Sequence, residues 1–380
     1  MSQSATNGNG RAEALLGQYE AAGYARAEPA ILQPAEPFLD MSGEDIRRRM
    51  FLTTDAAGRE LCLRPDLTIP VARGYLGSAS AGQPSGFCYL GPVFRDRGDA
   101  PGEFMQAGIE SFGRKDIAAA DAEMLSLGLE ATAHYGVDAP SIRLGDVGLF
   151  SAFVAAIDLP DAWKRRLVKD FNRAETLEHD LDQLAAEAAH APRDYQGVLA
   201  AMTGSDPKAA HALVSDLLSI AGIKAVGGRS VDEIAERFLE QSSLGARKGL
   251  PPEIRVLIRR FLAVAGDPDD AAAQLRDLAD EASLDMAAAL DLMESRTGFM
   301  AARGVDLAPV RFSTAYGRGF DYYTGFVFEL HDPGDRTDGP LVAGGRYDGM
   351  LTRLGGATPI PAVGLSVFVE RLAVVAGASA

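Results

Sequence analysis

The sequence predicts an α+β fold, one domain split by a helical insertion. Three observations carry this. Short β-rich runs separated by turns fill the chain from about Ala12 to Val147. From about Phe150 to Gly304 the apolar residues recur at helical spacing. After about Val310 the β character returns.

Taken in order, Met1–Gly10 is rich in Ser, Asn and Gly and is expected to be a disordered tail. Arg49–Thr54 and Glu60–Arg64 read as strands joined by an Ala57-Gly58-Arg59 hairpin turn. Phe87–Leu90 and Gly108–Phe112 read as further strands, and the alanine-rich run Asp116–Tyr135 as a helix. Within the helical block, Asp206-Pro207, Ser230–Glu233 and Asp267-Pro268 are helix-start signals. Val327–Leu330, Leu341–Ala343 and Val363–Phe368 are strands, and a last helix begins near Val369. The expected domains are thus a tail at 1–10, an α+β domain from 11–149 and 311–380, and a helical insertion at 150–310.

Composition excludes several classes. Lys and Arg total 37 against 53 Asp and Glu, a net charge of −16, which disfavours a nucleic-acid binder. The insertion shares the bias, with 18 basic and 26 acidic residues between Ser151 and Val310. No apolar run is long enough to span a membrane, and the N-terminus lacks the pattern of a secretory signal. Cys62 and Cys88 are expected to be free thiols in a reducing cytoplasm. The five histidines have no metal-ligand spacing, so no metal site is expected.

Four segments are dense in Gly, Arg and carboxylates: Leu63–Thr68, Gly91–Glu110, Gly317–Gly325 and Ala343–Gly349. Arg95 and Arg318 can fork onto a carboxylate or phosphate, while Asp66 and Glu110 can receive an ammonium or imidazolium. On a strand, Gln106, Gly108 and Glu110 share one face, with Gly108 leaving room for a ligand. The complementary ligand is an amino acid with a polar side group. Each segment alone has an ordinary reading: Gly344-Gly345 as a tight turn, Asp96-Arg97 as a solvated surface pair. Their joint occurrence, on both sides of a helical block, is the signal.

That constellation resembles the catalytic domain of histidyl-tRNA synthetase, whose class II fold is an antiparallel sheet flanked by helices. Gly91–Arg95 with Phe104–Gly113 resembles class II motif 2, the segment around Pro34 motif 1, and Val363–Arg371 motif 3. Arg318–Gly325 and Ala343–Gly349 resemble the two segments peculiar to the histidine enzymes. The resemblance implies that Asp66, Thr68, Gln106, Glu110, Tyr322 and Tyr323 hold the histidine amino and imidazole groups. It further implies that Arg95 and Arg318 hold the carboxylate or the adenylate phosphate, that Tyr347 lines the pocket, and that Arg371 is a relic of the ATP site. Asp66 stands where the synthetases carry Glu, which withdraws the carboxylate by about 1.5 Å.

Other departures shift the implied function. No anticodon-binding domain is expected in the nine residues after Arg371, and the Arg95–Gln106 loop is short and acidic. The pattern resembles the synthetase-like regulatory subunits of short-form ATP phosphoribosyltransferase, a glycosyltransferase that opens histidine biosynthesis. The resemblance implies a non-catalytic, cytoplasmic, histidine-sensing activator without a cofactor. It also implies assembly with a short catalytic subunit in a hetero-octamer, a homodimer through the motif 1 region, and no tRNA or membrane partner. The alternative is a truncated enzyme that still forms histidyl-adenylate.

Overall fold

The computed structural model describes residues 3–41, 44–171, 177, 181, 250–317 and 322–378. The chain divides into two compact units, Met1–Phe153 with Phe261–Ala380, and Val154–Arg260. Among the described residues no helix is long and apolar enough to cross a membrane.

The first unit opens with α1 (Gln3–Ala21). A stripe of buried Ala12, Leu15, Leu16 and Tyr19 holds this helix, and the chain expected to be a tail to residue 10 is drawn into it from Gln3 onward. There follow β1 (Ala25–Arg26), β2 (Leu32–Pro34), α2 (Glu36–Met41), α3 (Glu44–Arg48), β3 (Leu52–Thr54) and β4 (Glu60–Leu63). Strands β2, β4 and β3 make a small antiparallel sheet, with Gly58 at φ +80° in the turn the sequence predicts. Then come α4 (Thr68–Leu76), β5 (Ser85–Phe94), β6 (Glu103–Phe112), α5 (Ile117–His134), β7 (Ser141–Asp146) and α6 (Val147–Ala156).

Of the second unit the described residues include α7 (Asp161–Asp170), which buries Trp163 and Leu167. The helix-start signals at Asp206-Pro207 and Ser230–Glu233 lie outside the described residues. Helix α8 (Pro252–Leu262) leads back to the first unit, with β8 (Ala265–Gly266), α9 (Pro268–Glu281), α10 (Ala287–Ala302) and β9 (Arg311–Ser313). Asp267 caps α9, accepting from the Asp269 and Asp270 amides as its sequence signal predicts.

The separate unit is therefore narrower than the expected 150–310 insertion. Residues 261–310 belong with the first unit, because β8 and β9 join its sheet and α10 packs against α5. Helical periodicity is the same whether a helix covers its own domain's sheet or builds a separate module, so spacing could not draw this boundary.

The chain ends with β10 (Phe326–His331), β11 (Val342–Arg346), α11 (Met350–Arg353), β12 (Ala362–Phe368) and α12 (Val369–Ala378). The main sheet has nine strands in the order β1-β5-β6-β12-β11-β10-β7-β9-β8. Its central pairs from β5 to β7 are antiparallel, and β1–β5 and β7–β9 are parallel.

The two faces differ sharply. One carries Ile109, Leu365, Val367, Val342 and Phe328 and is covered by α5. Gly128 lets that helix sit close, since a Cβ there would lie 3.3 Å from Phe328 and Val342. Buried between α5, α10 and the sheet, Asp121 accepts from Arg296 Nε at 2.9 Å and Arg346 Nε at 2.8 Å. Asp146 takes the other arm of Arg296 at 2.8 Å. The opposite face is polar and glycine-rich, and the candidate site lies there.

Candidate functional site

Strand register assembles the site. Gln106, Gly108 and Glu110 lie opposite Gly91, Tyr89 and Phe87 on β5, and opposite Phe368, Ser366 and Gly364 on β12. The shared face that period two predicts is therefore present. Gly108 has a different purpose from the expected one. The place of its missing side chain is taken by the Tyr89 hydroxyl and the Leu365 carbonyl, so it accommodates protein rather than ligand. Gly364 does the same for Glu110, whose carboxylate occupies the space a Cβ would need.

Glu110 is the centre of the site and is 1% exposed. Tyr347 donates its hydroxyl to one carboxylate oxygen in a short hydrogen bond, and Tyr89 donates to the other at 3.1 Å. The Thr68 hydroxyl also hydrogen-bonds this carboxylate. Burial pushes the Glu110 carboxyl up to about 8, against the pull of those three hydroxyls. Tyr322 and Tyr323 complete an aromatic wall, their rings 4.7 Å apart and 5.8 and 6.5 Å from Tyr347.

Local backbone structure explains why distant segments meet. The Thr324 amide donates to the Arg346 carbonyl at 2.9 Å, and the Asp348 amide donates to the Thr324 hydroxyl at 3.0 Å. These bonds tie the segment holding Tyr322 and Tyr323 to the one holding Tyr347. Asp66 and Thr68 arrive from the start of α4, where Asp66 Oδ1 accepts from the Ile69 amide at 3.1 Å and so caps the first turn.

Two acceptors in this site are orphaned. Asp66 Oδ2 and Gln106 Oε1 are buried and, among the described residues, have no hydrogen-bond partner. Burial raises the Asp66 carboxyl above its ordinary range, opposed by the Arg95 guanidinium. A buried acceptor without a donor costs about 1–3 kcal/mol, a cost that N–H groups brought to this position would relieve.

Arg95 reaches the same region, donating from Nε to the Pro65 carbonyl at 2.7 Å. Arg371 sits beside it rather than among the tyrosines. It stacks 4.5 Å from the Phe368 ring and donates to the Pro340 carbonyl at 2.7 Å. Burial and the neighbouring charges of Arg97 and Arg95 hold its pKa down. Asp96 and Arg97 do not form the solvated pair their sequence suggests. Asp96 accepts from the Gly98 amide, while Arg97 lies over the Phe104 ring and pairs with Glu370 at 3.5 Å.

Of the expected site residues, Asp66, Thr68, Glu110, Tyr322, Tyr323 and Tyr347 are brought together, with Gln106 on the same strand face and Arg95 at the edge. Arg318 lies outside the described residues. Sequence reasoning missed Tyr89 and Gly364. Both stand directly across from Gly108 and Glu110, so the pairing register was the signal that could have found them. Among the described residues no cluster of His, Cys, Asp and Glu could hold a metal ion.

A family model described as histidyl-tRNA synthetase matches residues 3–238 and 210–372. Curated proteins from Brucella canis and Brucella ovis, each named ATP phosphoribosyltransferase regulatory subunit, are 40% identical over 351 residues, covering 92% of this chain and 93% of theirs. A solved Bacillus halodurans structure, described as an ATP phosphoribosyltransferase regulatory subunit/histidyl-tRNA synthetase, aligns with a TM-score of 0.66 at 21% identity. It covers 98% of this chain and 79% of that one. A histidine–tRNA ligase subunit from Alicyclobacillus acidocaldarius aligns with a TM-score of 0.59 at 24% identity, over 99% and 94% of the two chains. At these identities the structural likenesses establish the fold.

Proposed function

The chain belongs to the histidyl-tRNA synthetase family and, within it, to the ATP phosphoribosyltransferase regulatory subunits, and from that premise we propose that it activates a short catalytic phosphoribosyltransferase chain and senses histidine without catalysis of its own. The observation that carries the sensing reading is the pair of orphaned acceptors, Asp66 Oδ2 and Gln106 Oε1, beside a buried Glu110. An α-ammonium supplies donors to the first two. By resemblance, the imidazole is held by the group of Glu110 and the tyrosines and the ligand carboxylate by Arg95, with Arg318 as a second partner.

Regulation requires histidine to bind the active and inhibited assemblies with different affinity. A coupling of about 1–3 kcal/mol gives a several-fold to hundred-fold effect. By resemblance, two copies pair through the motif 1 region inside a hetero-octamer with the catalytic chain. Ile31, Leu32, Phe51 and Leu52, on and beside the small sheet, are 40–49% exposed, an apolar patch suited to a partner. The test is a phosphoribosyltransferase assay of the short catalytic chain with and without this protein, then with histidine. Activation that histidine reverses is the expected result; a catalytic chain indifferent to this protein refutes the proposal.

A second reading rests on Arg95, Arg97 and Arg371, whose charges gather beside the pocket as a triphosphate would need. It predicts histidine-dependent exchange of pyrophosphate into ATP, and absence of exchange in the purified chain removes it.

A further inference from the structure

Arg64 is 5% exposed and, among the described residues, has no carboxylate partner. Its guanidinium is spent on backbone. Nε donates to the Pro92 carbonyl at 2.8 Å, and one terminal nitrogen donates to the Pro29 carbonyl in a short hydrogen bond. The other lies where Gly91 lacks a side chain, 2.6 Å from the ideal Cβ position. Burial of this charge depresses its pKa, as expected where no anion offsets it.

The grip is reciprocal. Arg95, at the end of β5, donates back to the Pro65 carbonyl at 2.7 Å. Between them the Phe94 amide donates to the Arg64 carbonyl at 3.0 Å, and the Arg64 amide donates to the Ile31 carbonyl at 2.9 Å. Two arginines pointing in opposite directions thus clasp residues 64–65 to the end of β5. The next residue is Asp66, the bearer of the orphaned acceptor, and Thr68 lies two positions further on.

We propose that Arg64 is a positioning residue for the ligand pocket: by holding the Pro29 and Pro92 carbonyls it sets the backbone of 64–66, and with it the aim of Asp66 and Thr68. A forked guanidinium reaches both carbonyls at once, whereas a lysine ammonium on a flexible stem cannot span them in the same geometry. Gly91 is the complementary requirement, because any side chain there would displace the guanidinium. The inference rests on the amino-acid-pocket reading above and names how that pocket is kept in register.

The test uses the full chain with L-histidine as probe. Arg64→Lys and Arg64→Ala are compared by titration calorimetry and thermal unfolding, and Arg64→Ala is supplemented with methylguanidinium or methylammonium. Losing hydrogen bonds from a charged donor predicts a roughly ten-fold or greater loss of affinity. Arg64→Lys should lose affinity while remaining folded, and methylguanidinium but not methylammonium should restore binding to Arg64→Ala. Affinity within two-fold of wild type in both variants overturns the inference. If the wild-type chain itself ignores histidine, the ligand reading fails, and amide hydrogen exchange then decides this one. Faster exchange of the Ile69 amide, which Asp66 holds, with α5 unchanged supports it; unchanged exchange at Ile69 overturns it.

Discussion

Replacing Glu110 by Gln removes a buried titration and should remove its share of the pH dependence of stability. In the folded, empty pocket the Glu110 carboxyl is raised from an ordinary 4.5 to about 8, chiefly by burial. Between those values the folded chain binds a proton that the unfolded chain releases. Stability therefore falls as pH rises through this window, by about 1.4 kcal/mol per pH unit for one group at the limit. From pH 5 to pH 8 the wild type should lose on the order of 3–4 kcal/mol relative to Glu110→Gln. Gln does not titrate, and its fixed cost, a lost acceptor for Tyr89 or Tyr347, shifts the whole curve without tilting it. Urea unfolding of both chains without ligand, at pH 5.5, 6.5, 7.5 and 8.5, measures the difference. A stability gap that stays constant across the series refutes the argument that Glu110 is buried and protonated at neutral pH.

Other outcomes follow from the packing. Asp121→Asn leaves Arg296 and Arg346 buried with one counter-charge fewer; a loss of about 3–5 kcal/mol is expected in thermal unfolding, since breaking a buried ionic network strands its partners. Gly364→Ala places a methyl on the Glu110 carboxylate and 2.7 Å from the Ile109 carbonyl. It should cost about 1–3 kcal/mol and abolish histidine binding in calorimetry, because Glu110 must leave Tyr347 to make room. A Gly364→Ala chain that is as stable as wild type and binds histidine equally would refute the placement of that carboxylate.

Much of the architecture was legible in local pattern. The strands around Phe87, Gly108, Val327 and Val363 and the helix at Asp116–Tyr135 lie where alternation and alanine content put them. The Asp267 cap behaves as its side chain dictates. These are short-range properties, set by spacing along the chain. The extent of the helical unit was not legible, because α9 and α10 have the same periodicity as a separate module would. Nor was the helical start at Gln3, which depends on Ala12, Leu15 and Leu16 finding a sheet and a helix to pack against.

The residue types of the pocket, two carboxylates, an amide and a tyrosine pair, could be read from the four motif segments before any coordinates. What no linear reading could supply was which groups already satisfy one another. Tyr347 and Tyr89 hold the Glu110 carboxylate, Gly108 and Gly364 make space for protein atoms rather than ligand, and Asp66 and Gln106 are left with acceptors unfilled. Hydrogen-bond satisfaction and burial depend on what crosses over from strands and loops hundreds of residues away, so they exist only once the sheet has closed around them.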